Sequence, residues 1–343
     1  MRKRLFSLFT AILVGITSLF SGCGNTSTET LTKSGFYFNT IISVTIYAGG
    51  SEQLLDECFA LAEKYESYFS NTIADSDISR INDAAGAPVS VHDETVELLQ
   101  KGISYGELSG GKFDITIGKL SDLWDISTKA LLDKTDASMI PSDDDIKAAL
   151  STVDYRNIEI DGNEVTLLNH DAKIDLGGIA KGYIADEMRA FLNDNGVTSG
   201  FINLGGNVLA LGPKEDGSSY TIGIQRPFGL ENEAIASVSV TDETVVSSGV
   251  YERYFTVDDK RYHHILDTAT GYPYDNHLLG VTVITKYSVD GDGLSTTCFS
   301  LGLEDGMTLI ESLDDTEAIF ITDDYEIHVS SGMGSSVPYT ILE

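Results

Sequence analysis

The sequence predicts an α+β fold for one large domain spanning 34–343, and three observations carry that prediction. Short strand-like apolar stretches alternate with stretches of helical spacing, without any internal repeat. Two pairs of strand-like stretches are separated by tight-turn residues, Asp161-Gly-Asn163 and Asp258-Asp-Lys260, which read as hairpins. No Pro-rich or Gly/Ser linker divides 34–343, and 42% of the chain is hydrophobic, enough for one large domain or two intimately packed lobes.

Taken in order, the chain opens with Arg2-Lys3-Arg4, an uncharged apolar run from Leu5 to Phe20, and the small residues Ser21-Gly22 before Cys23. The run is short for a spanning helix and reads as a secretory signal over 1–22. Small residues followed by Cys resemble a bacterial lipobox, with Phe20 in place of the usual Leu. The mature chain is then expected to begin at a diacylated Cys23. The Ser/Thr-rich stretch 23–33 follows as a lipid-anchored polar tether. An ordinary cleaved signal with an incidental Cys is the alternative.

Gly35 to Ala48 alternates as a strand. Leu54 to Phe69 and Val96 to Leu108 have helical periodicity. Ser142 ahead of three Asp residues marks a capped helix start. Ile158–Ile160 and Glu164–Leu168 form the first hairpin, and a helix follows from Ile179 to Asn193. Strands are expected at Gly200–Leu211, Tyr220–Gln225, Ile235–Val240 and Thr244–Ser248. The second hairpin covers Phe255–Leu266, followed by a strand at Val281–Thr285 and a helix at Gly293–Leu303. Cys58 and Cys298 fall in apolar helical patterns and read as buried free thiols, with a mutual disulfide as the alternative.

The formal charge of −31 is extreme, and loss of Arg2, Lys3 and Arg4 with the leader deepens it. Such a surface repels nucleic acid and anionic headgroups. It can hold a phosphate-bearing ligand only with a local cation, a helix N-terminus, or both.

Three clusters could carry chemistry. In Lys173-Ile-Asp-Leu-Gly-Gly-Ile-Ala-Lys-Gly182, an Asp and a bare Gly turn stand beside a helix start, where amides and the dipole favour an anion. In His263-His264-Ile-Leu-Asp267, a strand delivers a histidine into a turn. In Asp290-Gly-Asp292-Gly-Leu-Ser295-Thr296, Asp292 and Thr296 share a face at a helix start. Each has a plainer reading: a turn, a packed ring pair, an N-cap. An Asp carboxylate, a Thr hydroxyl and a backbone carbonyl are, however, hard oxygen donors suited to Mg²⁺.

With these residues in view, the chain resembles the ApbE family of FAD:protein FMN transferases. The resemblance runs over six ordered blocks between about Asn39 and Gly302. They are Ser76-Asp-Ile-Ser-Arg-Ile-Asn82, Gly111-Lys-Phe-Asp-Ile-Thr-Ile-Gly118 with Leu123-Trp124, Ile174-Asp-Leu-Gly-Gly-Ile-Ala-Lys-Gly182, Asn203-Leu-Gly-Gly-Asn207, His264-Ile-Leu-Asp267 with Thr270-Gly271, and Asp292-Gly-Leu-Ser-Thr296. It implies a T-fold-related, two-lobed domain of mixed, mostly antiparallel sheets with packed helices. FAD would bind in a cleft between the lobes, with Mg²⁺ across its diphosphate. FMN would pass to a Thr hydroxyl of an acceptor flavoprotein, releasing AMP.

By position, the resemblance places Lys112, Phe113, Asp114, Asp175, Lys181 and Leu266 against FAD. The Gly178 carbonyl, Asp292, Ser295 and Thr296 would serve the metal, and His264 would be the base. Phe38 and Thr72 stand where the family meets the flavin or adenine, although Phe38-Asn39-Thr40 replaces a frequent Met-Gly-Thr and Asn71-Thr72-Ile73 replaces a run ending in an aromatic. Asp267-Thr268 likewise replaces a frequent Asp-Pro. A His near its ordinary pKa of about 6.5 could take the Thr proton. The expected address is the outer face of the bacterial cell membrane. An FAD pyrophosphatase and a non-catalytic flavin-binding lipoprotein remain open beside the transferase.

Overall fold

An eight-stranded, wholly antiparallel sheet organises the molecule. Its strands, in spatial order, are Leu31–Tyr37, Thr40–Ala48, Ser199–Leu204, Asn207–Leu211, Thr244–Gly249, Leu278–Thr285, Glu317–Thr322 and Ile327–Val329. This computed structural model describes residues 30–132, 135–230 and 232–342. The signal segment and Cys23 lie outside the described residues. Among the described residues, no helix is long and apolar enough to cross a membrane.

Helices Glu52–Phe69, Ala180–Asp194 and Ser288–Leu301 cover one face of this sheet, and their apolar stripes (Leu55, Cys58 and Ala62; Ile184, Met188 and Leu192; Leu294, Cys298 and Phe299) enter one large core. A second, smaller core is built from Leu120, Trp124, Ile146, Phe255, Tyr262 and Leu266. Tyr262 stacks on Trp124 with centroids 5.5 Å apart, and the Trp124 indole donates to the Gly271 carbonyl. Two cores give the two lobes. Smaller antiparallel sheets pair Tyr254–Val257 with Lys260–His263, Tyr220–Gln225 and Tyr339–Ile341 with Ala234–Val240, and Val89–Ser90 and Ile158–Asp161 with Glu164–Leu167.

Several expectations change here. The stretch Gly35–Ala48 is two strands, reversed by Phe38 and Asn39 at φ of +50° and +56°. Two successive left-handed residues are what a tight hairpin turn requires, and a Phe there carries no sequence signal. The Phe38 amide, held by the Glu66 carboxylate at 2.7 Å, fixes the turn. The first strand starts at Leu31, and Lys33 in it pairs with Val44 and bridges to Asp56. The tether therefore cannot extend to 33, nor does the domain start at 34. Cys58 and Cys298 are separate buried thiols, each pushed up to about 12 by burial.

The third motif also shifts. Its helix begins at Ser288, a turn before Asp292, because a side chain from another helix satisfies its first amides. Asp292 is thus inside the helix and is no N-cap. Helices at Asp77–Asp83, Gly118–Trp124, Ile126–Lys129 and Leu303–Glu311 are ones that periodicity did not mark.

Candidate active site

The Gly pair sits between Asp175 and the Ala180–Asp194 helix, and it is held from both sides. Asp175 donates its amide to the Ile115 carbonyl at 2.8 Å, and its carboxylate accepts from the Gly177 amide at 2.8 Å. Gly182 is the third residue of this helix, so its amide is one of those with no partner within the helix. It donates to Asp292 Oδ2 at 2.6 Å. Among the described residues, no backbone amide bonds the Gly178 carbonyl, which stands just ahead of the helix. The Asp292 carboxylate thus caps the helix that follows the Gly turn.

Asp292 is 5% exposed. Its other oxygen accepts from Asn207 Nδ2 at 2.9 Å. Burial raises its carboxyl above the ordinary range, against the opposing influence of Lys181, Asn207 and the Gly182 amide. One turn on, the Thr296 hydroxyl lies 3.0 Å from Ser248 Oγ and stays partly open. Ser295 does not: it is fully buried, donates to its own helix at the Asp292 carbonyl, and meets Ser248 at 2.9 Å. Ser295 therefore backs the site and is not placed as a ligand.

No cluster of three or more His, Cys, Asp or Glu side chains forms a metal cage among the described residues. A single carboxylate with a carbonyl and a hydroxyl still fits Mg²⁺, which keeps most of its shell as water and phosphate oxygens. A buried carboxylate that keeps a lone pair on each oxygen is the feature that wants a cation. Asp292, the Gly178 carbonyl and Thr296 are the residues that would hold it.

Lys181 ties the remaining parts together, since its charge acts on three groups from distant segments. It favours the ionised forms of Asp292 and Glu252 and disfavours protonation of His264. Glu252 keeps contact with solvent, yet crowding by protein pushes its carboxyl up to about 7.

His264 follows the hairpin strand Lys260–His263. Its amide donates to the Arg253 carbonyl at 3.2 Å, and its Nδ1 lies 3.4 Å from the same oxygen. Burial first, then Arg253, His263 and Lys181, push the imidazole down to about 3, not the ordinary value expected from sequence. The ring is neutral at pH 7; with Nδ1–H toward Arg253, Nε2 is the acceptor. His263 is the packed member of the pair, with Nε2 2.9 Å from the Tyr274 carbonyl.

The remaining expected contacts divide. Lys112 reaches the Ser300 carbonyl at 3.4 Å, near the end of the helix of Asp292, and is exposed. Phe113 packs under the turn, 3.1 Å from where a Cβ on Gly178 would stand. Asp114 is a correction. Its carboxylate is buried and accepts from the Thr116 amide and hydroxyl and the Tyr155 amide, so it shapes its own loop and offers little to a ligand. Leu266 is buried in the small core. Among the described residues, no hydrogen bond joins Phe38 or Thr72 to the Lys181 cluster; Thr72 is exposed and bonds Ser70. Sequence reading assigned no role to Asn207, Ser248 or Glu252. Only Asn207, inside a recognised block, carried a signal.

Residues 38–320 match the ApbE family. An FAD:protein FMN transferase of Klebsiella pneumoniae (strain 342) is 38% identical, over 82% of this chain and 85% of that protein. One of Treponema pallidum (strain Nichols) is 32% identical, over 94% and 93%. Among solved structures, the flavin transferase ApbE from Vibrio cholerae superposes with a TM-score of 0.77 at 26% identity, and the ApbE protein of Thermotoga maritima with 0.79 at 29%; each match covers 88% of this chain and 97% of the other.

Proposed function

We propose, starting from the fact that the chain belongs to the ApbE family, that this enzyme transfers FMN from FAD to a threonine hydroxyl of an acceptor protein with Mg²⁺ assistance. The observation that carries the reading is the 2.6 Å contact between the Gly182 amide and the Asp292 carboxylate, which joins the Lys181 motif to the Asp292/Thr296 motif. Asp292, the Gly178 carbonyl and Thr296 would hold Mg²⁺. When bound, the ion would neutralise charge on the FAD diphosphate, which this acidic surface otherwise repels.

The chain's own residues perform the rest. Lys181, on the first turn of its helix, sets a positive charge beside the diphosphate. Phe113 and the Gly turn shape the floor beneath it. His264 receives the proton of the incoming hydroxyl at Nε2 while that oxygen bonds to the FMN phosphorus and AMP departs. Arg253 orients the ring through its carbonyl.

Hydrolysis of FAD by water is the second reading. It is favoured by one observation: Thr72 and Ile73, in the run that lacks the family's frequent aromatic, are both exposed. Incubation with FAD, Mg²⁺ and an acceptor protein, followed for AMP and for flavin fluorescence of the denatured acceptor, separates the two.

For its address, we read the leader and Cys23 as a lipid anchor on the outer face of the cell membrane. Support comes from the basic start, the apolar run and the small residues before Cys23.

A further inference from the structure

The helices carrying Lys181 and Asp292 are joined by two reciprocal carboxylate-to-amide contacts, one turn apart. On the Ala180–Asp194 helix, Asp186 lies four residues after Gly182; on the Ser288–Leu301 helix, Asp292 lies four after Ser288. Asp292 accepts from the Gly182 amide at 2.6 Å. In return, Asp186 Oδ1 accepts from the Ser288 amide and Oδ2 from the Val289 amide, each at 2.9 Å. The Ser288–Leu301 helix has no capping side chain of its own, so Asp186 supplies two of its orphan amides with partners. Arg189 completes the joint, bonding Asp186 at 2.8 Å and the Lys286 carbonyl at 2.6 Å. Between the two contacts the helices touch: a Cβ on Gly182 would lie 2.2 Å from the Ser288 carbonyl oxygen.

We propose that Asp186 is a positioning residue, which by gripping the start of the Ser288–Leu301 helix sets Asp292 and Thr296 against the Gly178 carbonyl and Lys181. The inference rests on the metal-site reading above. Asp186 touches neither substrate nor the reacting atoms. It acts through the registry of two helices, and that registry decides whether the carboxylate, the hydroxyl and the free carbonyl face one point. Loss of an outer group of this kind costs about 10- to 100-fold in metal affinity. A purely structural Asp would lower stability without that selective loss.

The test compares Asp186→Asn, Asp186→Ala and a core truncation elsewhere, Ile310→Ala, in the full chain. Three quantities are read: Tm, the Mg²⁺ concentration giving half of the Mg²⁺-induced Tm rise with FAD present, and hydrogen exchange of the Gly182 amide. Asp186→Ala is expected to raise the Mg²⁺ requirement about tenfold or more and to speed exchange at the Gly182 amide, which the Asp186 side chain does not bond. Asp186→Asn, with one acceptor left, falls between, and carries the test if Ala does not fold. Ile310→Ala is expected to lower Tm with the Mg²⁺ requirement unchanged. An unchanged Mg²⁺ requirement and unchanged Gly182 exchange in Asp186→Asn and Asp186→Ala overturn the proposal. So does an equal rise in Ile310→Ala. Complete absence of any Mg²⁺ effect on the unmutated protein overturns the metal reading itself, and the positioning role with it.

Discussion

The Gly182 amide and the Asp292 carboxylate meet at 2.6 Å, so the helix that presents Lys181 and the helix that presents the acidic site residue are fixed to each other at their closest approach. Gly182 is the third residue of its helix, so this bond satisfies an amide with no partner within that helix. One contact thus caps one helix and orients the carboxylate borne by the other.

Replacing Asp292 by Asn should separate function from folding. Without metal, Asn relieves the cost of a buried charge but keeps one acceptor where the Gly182 amide and Asn207 both donate, so the Mg²⁺-free Tm of Asp292→Asn is expected to stay close to that of the unmutated chain. Activity should fall by about 100-fold or more, since loss of metal assistance removes several kcal/mol and each 1.4 kcal/mol is tenfold. Thermal melts with and without Mg²⁺, beside AMP release, check both halves. Full Mg²⁺-dependent activity in the folded variant would remove Asp292 from the site.

Gly182→Ala tests the contact itself. The added methyl would stand 2.2 Å from the Ser288 carbonyl oxygen and 2.6 Å from Val289 Cα, both backbone and unable to rotate away. A loss of about 1–3 kcal/mol is expected, with a larger loss of Mg²⁺-dependent turnover. Denaturant melts at fixed protein concentration give the first figure. An unperturbed melt would show that the helices are not so closely set.

The pH dependence follows from His264. Its folded-state pKa is about 3, below the ordinary 6.5 of an unfolded chain. The stability it contributes is present above pH 6.5 and is lost as pH falls from 6.5 toward 3, because the unfolded state takes up the proton first. The imidazole is already unprotonated at neutral pH, so the acid limb of kcat/KM for the acceptor should lie well below 6.5. The profile is best measured in Glu252→Gln, which removes the carboxyl that titrates near 7. A limb at 6.5 or above in that variant would show His264 to be an ordinary exposed ring.

The anchor reading gives a cellular prediction. Cys23→Ser should move the protein from the membrane fraction to the soluble one. A chain beginning at Thr30 keeps the Leu31–Tyr37 strand and should fold and bind FAD; one beginning at Thr40 loses that strand and should melt lower. Membrane retention of Cys23→Ser would contradict lipidation.

Much of this was legible because the informative residues are close in sequence. The Gly178 turn, Lys181 and the Asp292/Thr296 pair each sit within one short motif, and both predicted hairpins carry polar turn residues. What sequence hid was relational. The Ser288–Leu301 helix is capped by Asp186 from another helix, so its start looked like ordinary chain. Phe38 and Asn39 turn left-handed because Glu66 holds the amide, which no local pattern announces. Asp114 resembled a ligand contact, but its oxygens are taken by Thr116 and Tyr155. Glu252 matters through the Lys181 and Asp292 charges near it, and a lone Glu between Tyr251 and Arg253 has no signature.

The most direct test supplies FAD, Mg²⁺ and an acceptor protein with an exposed threonine, and follows AMP together with flavin covalently retained on the denatured acceptor. A positioned hydroxyl gains an effective concentration of up to about 10⁵ M or more over adventitious attack. The account therefore predicts slow AMP release without acceptor, faster release with it, one flavin retained per AMP formed, and loss of the acceleration in His264→Ala with FAD still bound. Rapid AMP release that ignores the acceptor and leaves it unlabelled would contradict transfer and make the protein a hydrolase of FAD.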